Sequence, residues 1–349
     1  MSEIHETVGR GGRRATRKDV AELAGVSVAT VSYVMNDQHK VPEKTAERVR
    51  EAVEKLNYRP DLVARSLATK RTSQLAIVIN NISNPIYSDL ILGFENNAIE
   101  AGYFVNICTG NTRVDDYIEN FISRSIDGIF IEALPHKYDP KELERLLESD
   151  IKIVIFGRTD LGIHAVSSVE TDYTRAMELA IHHLRELGHR KIAYLSGLTE
   201  AERYDARIDA FRAVCTSQEL TTAPVFSPAE VSNTDITDGE RLAAEFLAGD
   251  HGATAVVCTN DLMAIGAMNH FRNAGLSVPE DISVVGIDDS YVTSLTHPRL
   301  TSVHVPYHDV GRRAFELLHA DVTHNRKDSY QITPELVVRE STAPPADYD

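Results

Sequence analysis

The chain has 349 residues, of which 42% are hydrophobic and 25% are charged, and its formal net charge is −16. This length predicts more than one domain, and this composition is ordinary for a soluble globular protein. It excludes a membrane span, because no run of about 18 apolar residues occurs, and the charged N-terminus lacks the apolar stretch of a secretory signal.

The cysteines and the glycine-rich stretches argue against several kinds of site. Cys108, Cys215 and Cys258 show neither paired spacing nor a Cys/His ligand pattern, so no disulfide framework and no metal site are expected. We therefore expect a reducing, cytoplasmic compartment. Neither a dinucleotide-binding nor a phosphate-loop glycine motif occurs, so no cofactor is expected.

Charge is divided unevenly along the chain. Residues 1–72 carry 14 basic and 10 acidic side chains, whereas the remainder carries 22 and 42. A positive segment on an acidic body suggests that only residues 1–72 meet an anionic partner.

The first predicted helix begins at a capping box. Thr16 and Asp19 have the spacing at which each side chain bonds the backbone N–H of the other. Val20, Leu23 and Ala24 then form the predicted apolar face.

A glycine turn and two more helices follow. Gly25 provides the left-handed backbone that ends the first helix, and Ser27 caps the second, with Val31 and Val34 facing inward. The third helix is predicted to open at Pro42 and to run through Glu54. Its apolar stripe consists of Val49, Val53 and Leu56.

This helix–turn–helix arrangement occurs in DNA-binding domains and in many other helical hairpins. The stretch KDVAELAGVSVATVSYVMN resembles the head of the LacI/GalR family of bacterial repressors, whose pattern is xDVAxxAGVSxxTVSxxLN. One departure is Tyr33, where the family usually has arginine. The resemblance implies that the second helix enters the major groove, with Val28, Ala29 and Tyr33 facing the base edges.

Some of the expected contacts recognise bases, and others bind phosphates. Val28 and Ala29 offer methyl contacts to thymine, and Tyr33 offers one hydroxyl, whereas arginine would grip guanine with two bonds. The alternative for Tyr33 is a ring packed beside a phosphate. The arm of residues 1–14 adds positive charge, and other polar groups position the head on phosphates. The candidate phosphate contacts are Thr16, Ser27, Thr30, Ser32, Asn36 and Tyr58.

The stretch DLVARSLATKRTSQ, after Pro60, resembles the hinge of the same family, NYxPNxxARSLxxxxT. The resemblance implies a segment that becomes helical on operator DNA, where a leucine from each subunit wedges into the minor groove. The matching residues are Leu67 and its neighbour Ala64. Outside this motif, Leu67 would be interpreted as a core residue.

The rest of the chain alternates short apolar runs with helix-length segments. This pattern predicts doubly wound parallel sheets with crossover helices, in two similar subdomains. The predicted strands are residues 74–80, 103–109, 127–133, 151–157, 190–197, 254–260 and 281–288.

Ligands of such folds bind beyond the carboxyl ends of the strands. No nucleophile–base arrangement accompanies the strand ends, so no enzyme is predicted. His182, His183 and His189 are interpreted as solvated helix residues. The polar strand-end residues are Asn80, Glu132, Arg158, Ser196, Asn260, Asp261, Asp288 and Asp289.

The family resemblance extends through SNPIYSDLILGFE, NDLMAIGAM and VPEDISVVGIDDS. It implies a body like the periplasmic sugar-binding proteins, with a sugar as the small-molecule effector. Gly157 stands where many relatives have aspartate, which leaves the identity of the sugar open. The effector contacts implied by the resemblance are Tyr87, Arg158, Arg207, Asn260 and Asp288.

These observations predict a nucleoid-associated repressor that binds pseudo-palindromic operator DNA as a homodimer. The sign of the effector, inducer or corepressor, stays open. The rival interpretation is a sugar-binding or enzymatic α/β protein whose helical head serves association. The predicted parts are an arm (1–14), a helix-turn-helix domain (15–59), a hinge helix (60–72), and a body (73–349) with an N-subdomain (73–169, 305–332) and a C-subdomain (170–304, 333–349).

Overall fold

The structure is a computed structural model that describes residues 15–35, 41–59, 66, 71–109, 115–132, 139–157, 166–198, 206–220, 224–229 and 233–346. The chain divides into two units, Met1–Thr72 and Ser73–Asp349, which we call the head and the body.

The head contains the three predicted helices: α1 (Arg17–Ala24), α2 (Val28–Met35) and α3 (Glu43–Lys55). The capping box before α1 is present, because the Asp19 carboxylate accepts from the Thr16 N–H at 2.7 Å and the Thr16 hydroxyl accepts from the Asp19 N–H. Gly25 ends α1 with a φ of +63°, and the Arg48 guanidinium donates to the Ala24 carbonyl beside it. Any other residue at position 25 would therefore have a strained backbone, and its Cβ would lie 2.7 Å from the Arg48 guanidinium.

The head core packs one buried valine from each helix, Val20, Val31 and Val49. The predicted inward position of Leu23 is wrong, since its side chain is 53% exposed and Ala21 is buried instead. Helical spacing allows either Leu23 or Ala21 to lie on the same side of α1 as Val20 and Ala24. The packing of α2 and α3 against α1 buries Ala21.

The body consists of two six-stranded sheets. The first has the strand order β11-β5-β4-β3-β1-β2 and the second β12-β10-β9-β8-β6-β7, and β12 alone pairs antiparallel in the residues described. These sheets confirm the predicted doubly wound fold. The strands are β1 (Gln74–Ile79), β2 (Phe104–Thr109), β3 (Gly128–Glu132), β4 (Lys152–Phe156), β5 (Ser167–Thr171), β6 (Ile192–Leu195), β7 (Val225–Phe226), β8 (Ala255–Cys258), β9 (Ser283–Asp288), β10 (Thr301–His304), β11 (Ser329–Ile332) and β12 (Glu335–Val337). The helices are α4 (Ile86–Glu100), α5 (Asp115–Ser123), α6 (Pro140–Glu148), α7 (Tyr173–Glu186), α8 (Ala206–Ser217), α9 (Ile236–Ala248), α10 (Asp261–Asn273) and α11 (Tyr307–His324).

Three connections pass from one sheet to the other: from β5 to α7, from β10 to α11, and from β11 to β12. They lie side by side, because β11 pairs with β5 and β12 pairs with β10. The Asp172 N–H in the first connection donates to the Ile332 carbonyl in the third at 3.0 Å.

Each sheet is covered by a pair of helices that meet at glycines. In α4 and α11, a Cβ on Gly93 would lie 2.0 Å from the His308 carbonyl oxygen, and one on Gly311 would lie 1.9 Å from that of Leu90. In α9 and α10, Gly239 and Gly266 make the same kind of contact at 2.1 and 2.0 Å. Both pairs of backbones therefore pack closer than any side chain would permit.

One histidine differs from its predicted position. His189 is only 1% exposed, and its ring bonds the hydroxyls of Thr254 and Ser283 and the Ala343 carbonyl. The interpretation of His189 as a solvated helix residue is wrong: it follows α7 and fastens residues near the end of the chain to the second sheet. In the part of the chain that is described, no helix is long and apolar enough to cross a membrane.

Candidate functional site

The head presents one open face on α2. Val28 and Tyr33 are each 45% exposed, Ala29 is also exposed, and Val31 on the opposite side is fully buried. The three residues predicted to face base edges therefore lie together on the exposed side of α2. Whether they contact DNA stays a prediction.

The predicted phosphate contacts occupy different environments. Thr16 caps α1, and Ser27 caps α2 by accepting from the Thr30 N–H at 3.0 Å, while the Ser27 and Thr30 hydroxyls lie 2.8 Å apart. Ser32 is partly exposed, and Tyr58 packs into the head core at 8% exposure. Asn36, Ala64 and Leu67 lie outside the residues that the structure describes.

In the body, side chains from both sheets meet at the carboxyl ends of β3 and β9. We call Tyr87, Glu132, Arg207, Asp288 and Tyr307 the inter-sheet cluster. The Tyr87 hydroxyl donates to Glu132 Oε2 at 2.5 Å, and the Tyr307 hydroxyl donates to Asp288 Oδ1 at 2.7 Å. Tyr307 begins α11, which packs on the first sheet, so its bond to Asp288 joins the two halves of the body.

Arg207, in the first turn of α8, is held on two sides. Its guanidinium donates to the Thr259 carbonyl at 3.3 Å and lies 5.0 Å from the centre of the Tyr173 ring. This position puts one positive charge within electrostatic range of both Glu132 and Asp288. Such a guanidinium can bind a ligand through two parallel hydrogen bonds.

Burial dominates the electrostatics of the cluster. It raises the pKa of the Glu132 carboxyl, and the Tyr87 hydroxyl and Arg207 offset part of that rise. Burial also raises the pKa of Asp288, as does the charge of Asp261, against the effects of Tyr307 and Arg207. The phenol pKa values of Tyr87 and Tyr307 are raised by burial and then by the neighbouring carboxylates, so both hydroxyls are donors at neutral pH.

The backbone of Asp288 is strained. Its φ is +112°, in a region that residues with a side chain rarely adopt, and its carbonyl accepts from the Val305 N–H at 3.2 Å. Strain of this kind costs about 1–3 kcal/mol and is concentrated at functional sites. The strain therefore favours a functional role for Asp288.

The predicted effector contact Asn260 does not belong to the inter-sheet cluster. Asn260 caps α10 by accepting from the Met263 N–H at 2.9 Å, and its amide donates to the Thr234 carbonyl. This capping is the competing role expected of a strand-end asparagine, although it leaves further hydrogen-bonding capacity. Arg158 lies outside the described residues. Tyr87, Arg207 and Asp288 are brought together.

Two members of the cluster were not predicted as site residues. The sequence identifies Glu132 only as a polar strand end, and no pattern in it indicates Tyr307. The signal for Glu132 was available, because a carboxylate closing an apolar strand is unusual, but its partner Tyr87 lies 45 positions away. Among the residues described, no group of three or more His, Cys, Asp or Glu side chains is arranged to hold a metal ion.

The head and the body each match the profile of a known protein family. The profile of the bacterial regulatory proteins of the lacI family matches residues 16–61, and that of the periplasmic binding protein-like domain matches residues 181–342. The HTH-type transcriptional repressor PurR of Vibrio vulnificus is 34% identical over 341 residues, which cover 94% of this chain and 98% of that protein. PurR of Haemophilus influenzae is 31% identical over 342 residues, with the same coverage.

Solved structures are similar over nearly the whole chain. The lac repressor dimer bound to operator and the anti-inducer ONPF has a TM-score of 0.79 and 25% identity, covering 95% of this chain and 100% of that one. The transcriptional regulator CelR–cellobiose complex has a TM-score of 0.69 and 28% identity, covering 94% and 100%.

Proposed function

The chain belongs to the lacI family of bacterial regulatory proteins and is a DNA-binding repressor; on this premise we propose that a small molecule bound at the inter-sheet cluster controls its affinity for operator DNA. The relatives reported above are repressors, which confirms the predicted regulatory role and argues against the rival enzymatic interpretation. The observation that carries the proposal is the meeting of Arg207, Asp288 and Tyr87 between the two sheets.

The chemical class of the effector is less specific than the sequence suggested. CelR holds cellobiose, whereas the names of the curated relatives above specify no sugar. The proposal is therefore a small molecule with several hydrogen-bonding groups, with sugars as one class among those to be screened.

A dimer is favoured by an exposed apolar surface on the first sheet. Leu92 and Ile99 on α4 are 48% and 60% exposed, and Phe104 and Ile107 on the edge strand β2 are 66% and 43% exposed. Contiguous exposed apolar side chains are typical of interaction surfaces. A homodimer that uses this surface would place two heads on a pseudo-palindromic operator, and the lac repressor binds its operator as a dimer.

The proposed coupling acts through the angle between the two sheets. Binding at the cluster changes that angle, the first sheets of the two subunits shift, and the hinge segments with Leu67 leave the minor groove. Either sign of control fits this scheme, because an effector that favours the other angle would promote operator binding.

The direct test is a gel shift of the full chain on the upstream region of its own operon. A specific complex that persists at about 0.1 M salt and is altered by a small molecule is expected. The effector is sought by a thermal-shift screen of sugars and nucleobases, since binding raises the melting temperature with concentration. Absence of a specific complex would reject the proposed function.

Leu67→Ala is expected to weaken operator binding by about tenfold or more, because the unstacking wedge is removed. Effector binding, followed by thermal shift, should persist. The control is Leu295→Ala in the body, where the side chain is 68% exposed. Equal operator affinity of Leu67→Ala and the unsubstituted protein would refute the wedge.

Tyr33→Arg is expected to increase the preference for guanine at one operator position by about 1–3 kcal/mol, because arginine adds two hydrogen bonds to the guanine edge. Titration against single-base operator variants measures this preference. An unchanged order of operator variants would show that Tyr33 does not face a base.

A further inference from the structure

The body begins at a residue whose backbone is held on both sides. Ser73 is the first residue of the body and directly follows the predicted hinge (60–72). Its N–H donates to Asp127 Oδ2 at 2.9 Å, and its carbonyl accepts from the Phe104 N–H at 2.9 Å. Its φ is +56°, a left-handed conformation that a residue with a side chain rarely adopts. These two bonds therefore fix the direction in which the chain enters the first sheet.

Asp127 joins three parts of the first sheet at the amino end of β3. Its side chain accepts from Ser73, its backbone N–H donates to the Gln74 carbonyl at 2.9 Å, and its carbonyl accepts from the Lys152 N–H at 3.2 Å. Gln74 and Lys152 begin β1 and β4, the two neighbours of β3. Because a hydrogen bond to a carboxylate is stronger than one between neutral groups, the bond to Asp127 is the stronger of the two that hold the Ser73 backbone.

Strand β3 connects Asp127 to the inter-sheet cluster. Asp127 directly precedes β3, and Glu132 of the cluster is its last residue. The two residues are about 17 Å apart along the strand, at about 3.3 Å per residue. Strands β1 and β4 pair with β3 on both sides, and a packed element of this kind moves as a unit. A displacement of Glu132 is therefore passed to Asp127 and Ser73.

We propose that Asp127 is a positioning residue for operator binding: by fastening Ser73 to β3, it makes the hinge follow the movement of the first sheet. This inference rests on the proposed coupling between the cluster and the hinge, and it names the contact through which that coupling passes. Without the carboxylate, Ser73 loses the stronger of its two bonds, and the hinge segments of a dimer can take more directions. Ordering them on the operator then costs more conformational entropy.

The effect is expected on sequence-specific binding alone. Contacts of the heads with phosphates supply non-specific affinity, and these contacts do not depend on the direction of the hinge. Operator binding requires in addition that both hinges reach the minor groove with Leu67. A loose joint at Ser73 therefore lowers the ratio of operator affinity to non-specific affinity, whereas a variant that is merely less folded lowers both affinities together.

The test compares Asp127→Ala and Asp127→Asn with Asp281→Ala in the full-length protein. Asparagine keeps an acceptor oxygen but carries no charge. Asp281 is the matched control, because its exposed carboxylate also accepts from a backbone N–H, that of Ser277 at 2.7 Å, beside the second sheet. Gel shifts at about 0.1 M salt measure binding to the upstream region of the chain's own operon and to a scrambled DNA of equal length. Thermal denaturation shows that each variant is folded at the temperature of the gel shift.

Asp127→Ala is expected to weaken operator binding by about tenfold or more and to change binding to the scrambled DNA by less than about twofold. Asp127→Asn should show a smaller loss of operator binding, and Asp281→Ala should show none. Unchanged operator affinity in Asp127→Ala, or an equal loss on both DNAs, would overturn the proposal. If Asp127→Ala does not fold, the same two criteria are applied to Asp127→Asn. Failure of the unsubstituted protein to form a specific complex would instead reject the proposed function.

Discussion

Replacing Gly311 with alanine is expected to lower the free energy of unfolding of the body by about 2 kcal/mol. The new Cβ would lie 1.9 Å from the Leu90 carbonyl oxygen, so α11 and α4 must move apart. Overpacking of this kind costs about 3 kcal/mol, and the better helix propensity of alanine recovers about 1 kcal/mol. Thermal denaturation followed by circular dichroism should show a midpoint lower by roughly 5 °C.

Thr323→Ala is the control for this variant, because it introduces the same residue at an exposed position of α11. It should leave the midpoint nearly unchanged. Equal midpoints for Gly311→Ala and the unsubstituted protein would show that the two helices separate at little cost. Because Tyr307 begins α11, a shifted helix would also disturb the bond from its hydroxyl to Asp288.

Replacing Arg207 with alanine is expected to remove the response of operator binding to the effector. The half-maximal effector concentration should rise by about tenfold to hundredfold, because hydrogen bonds to a charged group contribute about 1.5–3 kcal/mol. The variant also leaves Glu132 and Asp288 without the guanidinium that offsets their burial. A gel shift titrated with the molecule identified in the thermal-shift screen measures the response.

Arg212→Ala is the matched control, since Arg212 is exposed on the same helix, α8. It removes an identical side chain away from the cluster and should retain the normal response. An unchanged half-maximal concentration in Arg207→Ala would place effector binding elsewhere in the body.

The sheets of the body could be predicted wherever a strand is continuously apolar. QLAIVI and SVVGID are examples, and the seven predicted runs all contain strands, β1 to β4, β6, β8 and β9. Strands β7 and β12 were missed because they have only two and three residues, and strands β5, β10 and β11 were missed because SSVET, TSVH and SYQI are short and rich in polar residues. Their serines and threonines bond neighbouring segments, as Ser302 does with Asp261 at 2.6 Å, so apolar periodicity gives no signal there.

Only part of the inter-sheet cluster could be predicted from the sequence. Asp288 and Arg207 could be located from strand ends and from the family resemblance. Tyr307 could not, because its role depends on a hydrogen bond across the two sheets, and nothing in a single sequence indicates that α11 begins opposite β9. The exposed face of α2 was predictable, because helical periodicity separates Val31 from Val28 and Tyr33.

Among the described elements, only three side-by-side connections join the two sheets. In the proposed coupling, the binding of a molecule at the cluster and the release of operator DNA are therefore separate events. A molecule that fits the cluster equally well at two angles between the sheets shifts no equilibrium, however tightly it binds. On the proposed coupling, a tight binder of this kind would be silent, neither inducing nor repressing, and would compete with the true effector. Ranking compounds by melting temperature alone will mix the two kinds, and only their effect on operator release will tell them apart.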